Sequence, residues 1–231
     1  MKILWLIGII VLSISDPCYA DIDLDQLYGL REKEVLQDFV QKTENEIGIG
    51  SADIQKLKML GIAYHNLATL KVQDTSRKAV AYLQKAHSLS PNDEEVQVYL
   101  GSATTMVGRD SWNVLSKISS VNKGIKMMDE AVVTMPDSIV VRMVRANNSL
   151  DLPDLFNRKE IAKKDFQHLE MLITKAFVNV ESDIKAEVFY KLGMLYSGES
   201  NASLAKEYFK KAIDASPNSQ WGKNSKGSFK P

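Results

Sequence analysis

An all-α fold of repeated antiparallel helix pairs, preceded by a capping helix, is what this sequence predicts. Three observations carry the prediction. Apolar residues recur at helical spacing along most of the chain. A unit from Ala186 to Asn218 sets small residues, large residues and a closing proline at fixed intervals, and fainter echoes of it lie upstream. Finally, the chain has 231 residues, 45% hydrophobic, and a single cysteine. Its core must therefore come from packing, not from a disulfide framework or a cysteine-rich zinc site.

The first twenty residues read as an export signal outside the fold. Lys2 gives a positive start, Ile3 to Ile14 is a nearly unbroken apolar run, and Ser15-Asp16-Pro17 breaks it ahead of Cys18-Tyr19-Ala20. Small residues at the positions three and one before a cut predict cleavage after Ala20. The run is shorter than the roughly 20 apolar residues a membrane-crossing helix needs, and an uncleaved membrane anchor is the alternative. Ser15-Asp16-Pro17 fits a bacterial lipidation signal at Cys18 badly. Removing residues 1–20 takes away the cysteine together with Lys2 and Asp16, which leaves 28 basic and 28 acidic residues. An exported, cysteine-free helical chain suits a bacterial periplasm, or secretion, better than a disulfide-rich extracellular setting. Asn147-Asn148-Ser149 and Asn201-Ala202-Ser203 would matter only in a glycosylating pathway.

Residues 21–51 hold the capping helix. Leu30, Val35, Leu36, Phe39 and Val40 share one face, and Gly48, Gly50 and Ser51 end the segment. The clearest helix pair, Ala186–Asn218, carries Phe189, Leu192-Gly193, Tyr196, Ala205, Phe209, Ala212 and Pro217. Gly193, Ala205 and Ala212 are small where two antiparallel helices approach, Leu192, Tyr196 and Phe209 fill the space between, and Pro217 stops the second helix. An earlier copy has Leu57, Leu60-Gly61 and Tyr64, then Ala79, Leu83, Ala86 and Pro91, with about six extra residues near Lys71–Lys78. The next opens at Leu100-Gly101 and closes with Gly124, Met128, Ala131 and Pro136, with an insertion of about eleven residues around Arg109–Asn113. A divergent unit runs from Ile139 through Ala146 to Ala162 and Phe166, interrupted at Leu152-Pro153 and Phe156-Asn157-Arg158.

These positions make residues 52–218 resemble four divergent units of the tetratricopeptide repeat family, of the kind found in exported bacterial proteins. The resemblance implies an α-solenoid whose first helices line a concave, protein-binding groove. The tail, 219–231, holds Gly222, Gly227 and three lysines without helical period, so disorder is expected there.

Balanced charge, 29 Lys and Arg against 29 Asp and Glu, argues against generic nucleic-acid binding and against an acidic disordered chain. His65, His87 and His168 form no i, i+4 pair, and no nucleophile elbow, phosphate loop or calcium loop occurs. Asp93-Glu94-Glu95 and Asp129-Glu130 read as helix-start or surface charges, and Met127, Met128, Met135 and Met143 as core filler. Neither a metal nor a cofactor is expected, and no enzymatic activity.

By resemblance, His65 and Asn66 fall on the groove face. Arg142, Arg145, Asn147 and Asn148 crowd onto one apolar helix, where Arg142 and Arg145 share a face and could hold a carboxylate. The same arginines also fall at positions where the family has large core residues, so pairing with Asp151, Asp154 or Asp165 is the competing expectation. Arg109, Trp112, Phe156 and Arg158 lie in the two interruptions and could shape an enclosed pocket, with Trp112 as a buried plug or a binding aromatic. The expected function is a non-catalytic binding or scaffold protein with a protein or peptide partner and a possible peripheral attachment to membrane. The alternative is a carrier of a small molecule or lipid, with an enzyme a distant third.

Overall fold

The computed structural model describes residues 22–47, 50–175 and 180–228. The expected signal at 1–20 lies outside them. Among the described residues there are helices and no strands, in the order α1 (Leu24–Gly29), α2 (Lys33–Ile47), α3 (Ile54–Thr69), α4 (Thr75–Leu89), α5 (Glu94–Asp110), α6 (Val114–Thr134), α7 (Ile139–Asp151), α8 (Lys159–Thr174), α9 (Ser182–Gly198), α10 (Ala202–Ala215) and α11 (Gln220–Ser228). A 3-10 turn, Asp154–Phe156, bridges α7 and α8. From α3 to α10 consecutive helices pair as antiparallel hairpins stacked side by side, which is the all-α solenoid the sequence predicts.

Local chemistry sets the helix starts. Asp53, Asp93, Asn113, Ser138 and Asn201 each accept a hydrogen bond from the backbone N–H three residues on. Each such cap satisfies a donor that the first turn leaves unpaired, and is worth about 1 kcal/mol. The extra residues near Lys71–Lys78 are absorbed in a turn where Lys71 and Asp74 adopt positive φ. The insertion around Arg109–Asn113 lies at the junction of α5 and α6. It is spent on length, giving helices of 17 and 21 residues in α5 and α6.

Glycine decides how close that long pair comes. A Cβ on Gly101 would lie 2.8 Å from the Gly124 carbonyl oxygen, and one on Gly124 would lie 2.6 Å from Thr105 Cγ2. The α5 and α6 backbones thus touch where neither residue has a side chain. Gly193 in the C-terminal pair instead makes room for a side chain, the Phe209 ring lying over it.

The core falls into two apolar clusters that meet at α7. Leu27, Leu36, Leu60, Leu83, Leu100, Met128, Val141 and Val144 belong to one. Ala146, Phe166, Leu169, Leu192 and Tyr208 belong to the other. Of the methionines expected as filler, Met128 is buried and Met135 is exposed.

The tail departs from expectation. Residues 220–228 form α11, with Gly222 buried against the Ser216 carbonyl and the Trp221 ring 5.5 Å from that of Tyr190. One aromatic anchor and a close backbone approach offset the low helical propensity of this glycine- and serine-containing segment.

Candidate functional site

The inner face of the solenoid is a groove lined by α1, α3, α5, α7, α9 and α11, with a cavity volume of about 200 Å³. Its apolar walls include Met106, Ile139, Met143 and Ile184. Its charges are Arg31, Asp151, Glu187 and Lys191, and Tyr28 and Trp221 stand at its two ends.

The floor is a directed hydrogen-bond chain. Asn66 Nδ2 donates to the Leu27 carbonyl at 2.8 Å and the Leu30 carbonyl at 3.3 Å, which fixes its amide and leaves Oδ1 to accept from His65 Nδ1. His65 Nε2 then accepts from the Ser102 hydroxyl at 2.9 Å. The Thr105 hydroxyl donates to the Ser102 carbonyl. With both hydroxyl protons committed, Ser102 Oγ and Thr105 Oγ1 can only accept from Asn148 Nδ2, at 3.0 and 2.6 Å. Asn147 Nδ2 is likewise committed, to Glu187 at 2.8 Å. The Oδ1 atoms of Asn147 and Asn148, on the groove lining, accept no hydrogen bond from the described residues. Burial pushes the His65 imidazole down to about 4, so it is neutral at pH 7. Its ring meets the edge of Tyr99, centroids 4.9 Å apart. Tyr28 stacks on Tyr99 and donates to Glu95, which also receives the buried Lys58 ammonium at 2.7 Å.

Four of the expected groove residues, His65, Asn66, Asn147 and Asn148, therefore come together on one floor. Arg142 and Arg145 do not line the groove. Asp165, fully buried on α8, accepts from Arg142 Nη1 at 2.6 Å and from Arg145 Nε and Nη2 at 2.8 and 2.7 Å. Asp129 on α6 accepts from Arg145 at 3.1 Å and from Arg158 at 2.6 Å, and Arg142 also donates to the Pro136 carbonyl. The reason is position. Both arginines occupy core-facing sites of α7, where a guanidinium needs a buried partner. The result is a polar seam joining α6, α7 and α8 where the two apolar clusters meet.

Arg109, Trp112, Phe156 and Arg158 do not come together around one enclosed pocket, and Arg158 alone of them borders a shallow cleft, with Leu152, Asn157 and Glu160. Arg109 caps α3 through the Ala68 carbonyl and pairs with Asp110, and Arg158 is held in the seam. Phe156 is half-buried in the 3-10 turn, and Trp112 is 93% exposed, no plug at all. Among the described residues no His, Cys, Asp and Glu side chains cluster as a metal site.

Sequence reasoning missed Tyr28, Tyr99, Ser102 and Trp221 as groove residues. Tyr28 and Trp221 are supplied by the terminal segments, and the lone aromatic of α11 before its glycines was the available signal for the second.

The model of the tetratricopeptide repeat family matches residues 186–219. Among curated proteins no match is found. Among solved structures, a thermophilic tetratricopeptide-repeat protein of Thermus thermophilus, TTC0263, superposes with a TM-score of 0.65 at 14% identity, over 88% of this chain and 93% of its own. MamA superposes with a TM-score of 0.49 at 15% identity, over 90% of this chain and 99% of its own. At such identity the first likeness speaks for the fold, and it agrees with helix pairs whose small and large residues keep the repeat's register. Residues 186–219 thus carry a tetratricopeptide repeat, and the described helices share the fold of a tetratricopeptide-repeat solenoid.

Proposed function

We propose that this chain is an exported, non-catalytic binding protein that holds a segment of a partner protein along its inner groove. A solenoid of this kind is a protein-interaction scaffold in general, and the finer reading rests on one observation. The groove runs unbroken across α3, α5, α7 and α9 from Tyr28 to Trp221, and mixes apolar walls with charges of both signs. That lining suits a peptide segment with alternating apolar and polar side chains. A volume of about 200 Å³ falls below the roughly 300 Å³ at which ligand pockets begin, which speaks against the carrier reading. Export rests on Lys2, the apolar run Ile3–Ile14 and the small residues before Asp21, and predicts a mature protein beginning at Asp21.

The test is site-specific photocrosslinking in the producing cell, with the reactive group at Met143 in the groove or at Val133 on the outer surface. Partner crosslinks from Met143 that are absent from Val133 support the reading. Identical products from both positions, or none from Met143, sink it. N-terminal sequencing of the recovered protein tests the cleavage.

A further inference from the structure

Exposed large apolar side chains on the described residues are mostly scattered singly, but four of them crowd into one short stretch. Trp112 (93% exposed), Val114 (66%), Leu115 (79%) and Ile118 occupy the turn after α5 and the first turn of α6. They sit at the projecting tip of the longest hairpin, on the edge of the solenoid that carries the turns within each pair. Leu70, at the end of α3, and the exposed Leu155 of the 3-10 turn lie on the same edge. None of the four lines the groove.

The charges that follow this tip along α6 have one sign as far as Met128. From Ser111 to Met128 the chain has Lys117, Lys123 and Lys126 and no acidic residue. Of the flanking acids, Asp110 is engaged with Arg109 and Ser76, Asp129 with Arg145 and Arg158, and Glu130 with Lys126 at 3.8 Å. Lys117 stands between Leu115 and Ile118, and Lys123 and Lys126 follow along α6 progressively farther from the apolar tip.

We infer that this tip is a docking surface for an anionic lipid bilayer. Trp112, Val114, Leu115 and Ile118 enter the boundary between headgroups and acyl chains, while the lysines farther up α6 meet the lipid phosphates. An exposed tryptophan beside aliphatic side chains suits that boundary, because its ring is apolar while its N–H stays hydrogen-bonded to water or headgroups. Lysine stems reach back to the polar layer and their charges are attracted to anionic lipid. The groove, on another face, stays open to its partner.

The experiment uses the full chain with Trp5→Phe and Trp221→Phe, so that Trp112 is the sole tryptophan, and vesicles of brominated phosphatidylcholine with or without phosphatidylglycerol. The apolar run Ile3–Ile14 can itself carry the chain to any vesicle, and its contribution is the same with uncharged lipid and in Leu115→Glu, which separates it from that of the tip. Expected is a blue shift of Trp112 emission and at least about twofold quenching on anionic vesicles, lost in about 0.5 M salt and lost with Leu115→Glu. Helix content and thermal midpoint of Leu115→Glu should match the parent, since Leu115 has little to lose on folding. Emission that vesicles leave unchanged, quenching that Leu115→Glu retains, or equal quenching on uncharged vesicles overturns the inference. So does a concentration-dependent dimer, in the absence of lipid, that Leu115→Glu dissolves.

Discussion

Replacing Asp165 by alanine tests whether the solenoid is held at α7 by charge rather than by apolar contact. Asp165 is fully buried and receives three hydrogen bonds from two guanidinium groups, so its removal strands two largely buried positive charges. Breaking a buried pair from one side costs about 3–5 kcal/mol. The lower end applies, because Arg145 keeps Asp129 and Arg142 keeps the Pro136 carbonyl. With a urea slope of about 2 kcal/mol/M, a loss of about 3 kcal/mol moves the midpoint down by about 1.5 M. Circular dichroism at equilibrium in urea measures this. Arg142→Ala with Arg145→Ala should cost as much, by leaving Asp165 uncompensated. Replacing all three by Met or Leu should restore most of the loss, since apolar packing substitutes for a buried ion network. A shift for Asp165→Ala below about 0.3 M would refute the reasoning, as would a triple variant worse than either partial one.

Lowering the pH should destabilise the chain through His65. Its folded-state value near 4 lies below the ordinary 6.5, so the unfolded chain takes up the proton first. The contribution is full above pH 6.5 and is lost as the pH falls toward 4, by about 3 kcal/mol in total at about 1.36 kcal/mol per unit. His65→Gln should flatten that slope in urea titrations across about pH 4–7. Gly124→Ala should lower stability by about 1–2 kcal/mol, since overpacking against α5 outweighs the helix propensity of alanine. Gly198→Ala, facing open space, should be neutral or stabilising, and paired thermal melts compare the two. Trp221→Ala should release α11, seen as faster hydrogen exchange over residues 220–228 with the exchange of α3–α6 unchanged.

The C-terminal pair was legible because its signature is local. Gly193, Ala205, Phe209 and Pro217 each answer a contact within one hairpin, so spacing alone reveals them. The floor of the groove was legible in part. His65, Asn66, Asn147 and Asn148 stand on first helices, but what binds them together is Ser102 and Thr105 of α5, two residues with no mark of their own in the sequence. Trp112 could be noticed in the sequence but not placed, because an aromatic in an insertion is a plug or an exposed tip according to how long the neighbouring helices run.

By itself the sequence determined the repeating helix pairs and their closing prolines, and left Arg142 and Arg145 between lining a groove and pairing with an acid. Those features follow from periodicity, from the loss of a backbone donor at proline, and from the two ways a guanidinium on an apolar helix can be satisfied. Only the tertiary structure decided that the acids are Asp165 and Asp129, that the arginines brace a seam instead of lining the groove, and that α11 folds. Each of these depends on which surfaces the superhelical stacking brings within contact distance. That stacking sums the crossings of many helices, and no local stretch of sequence encodes it.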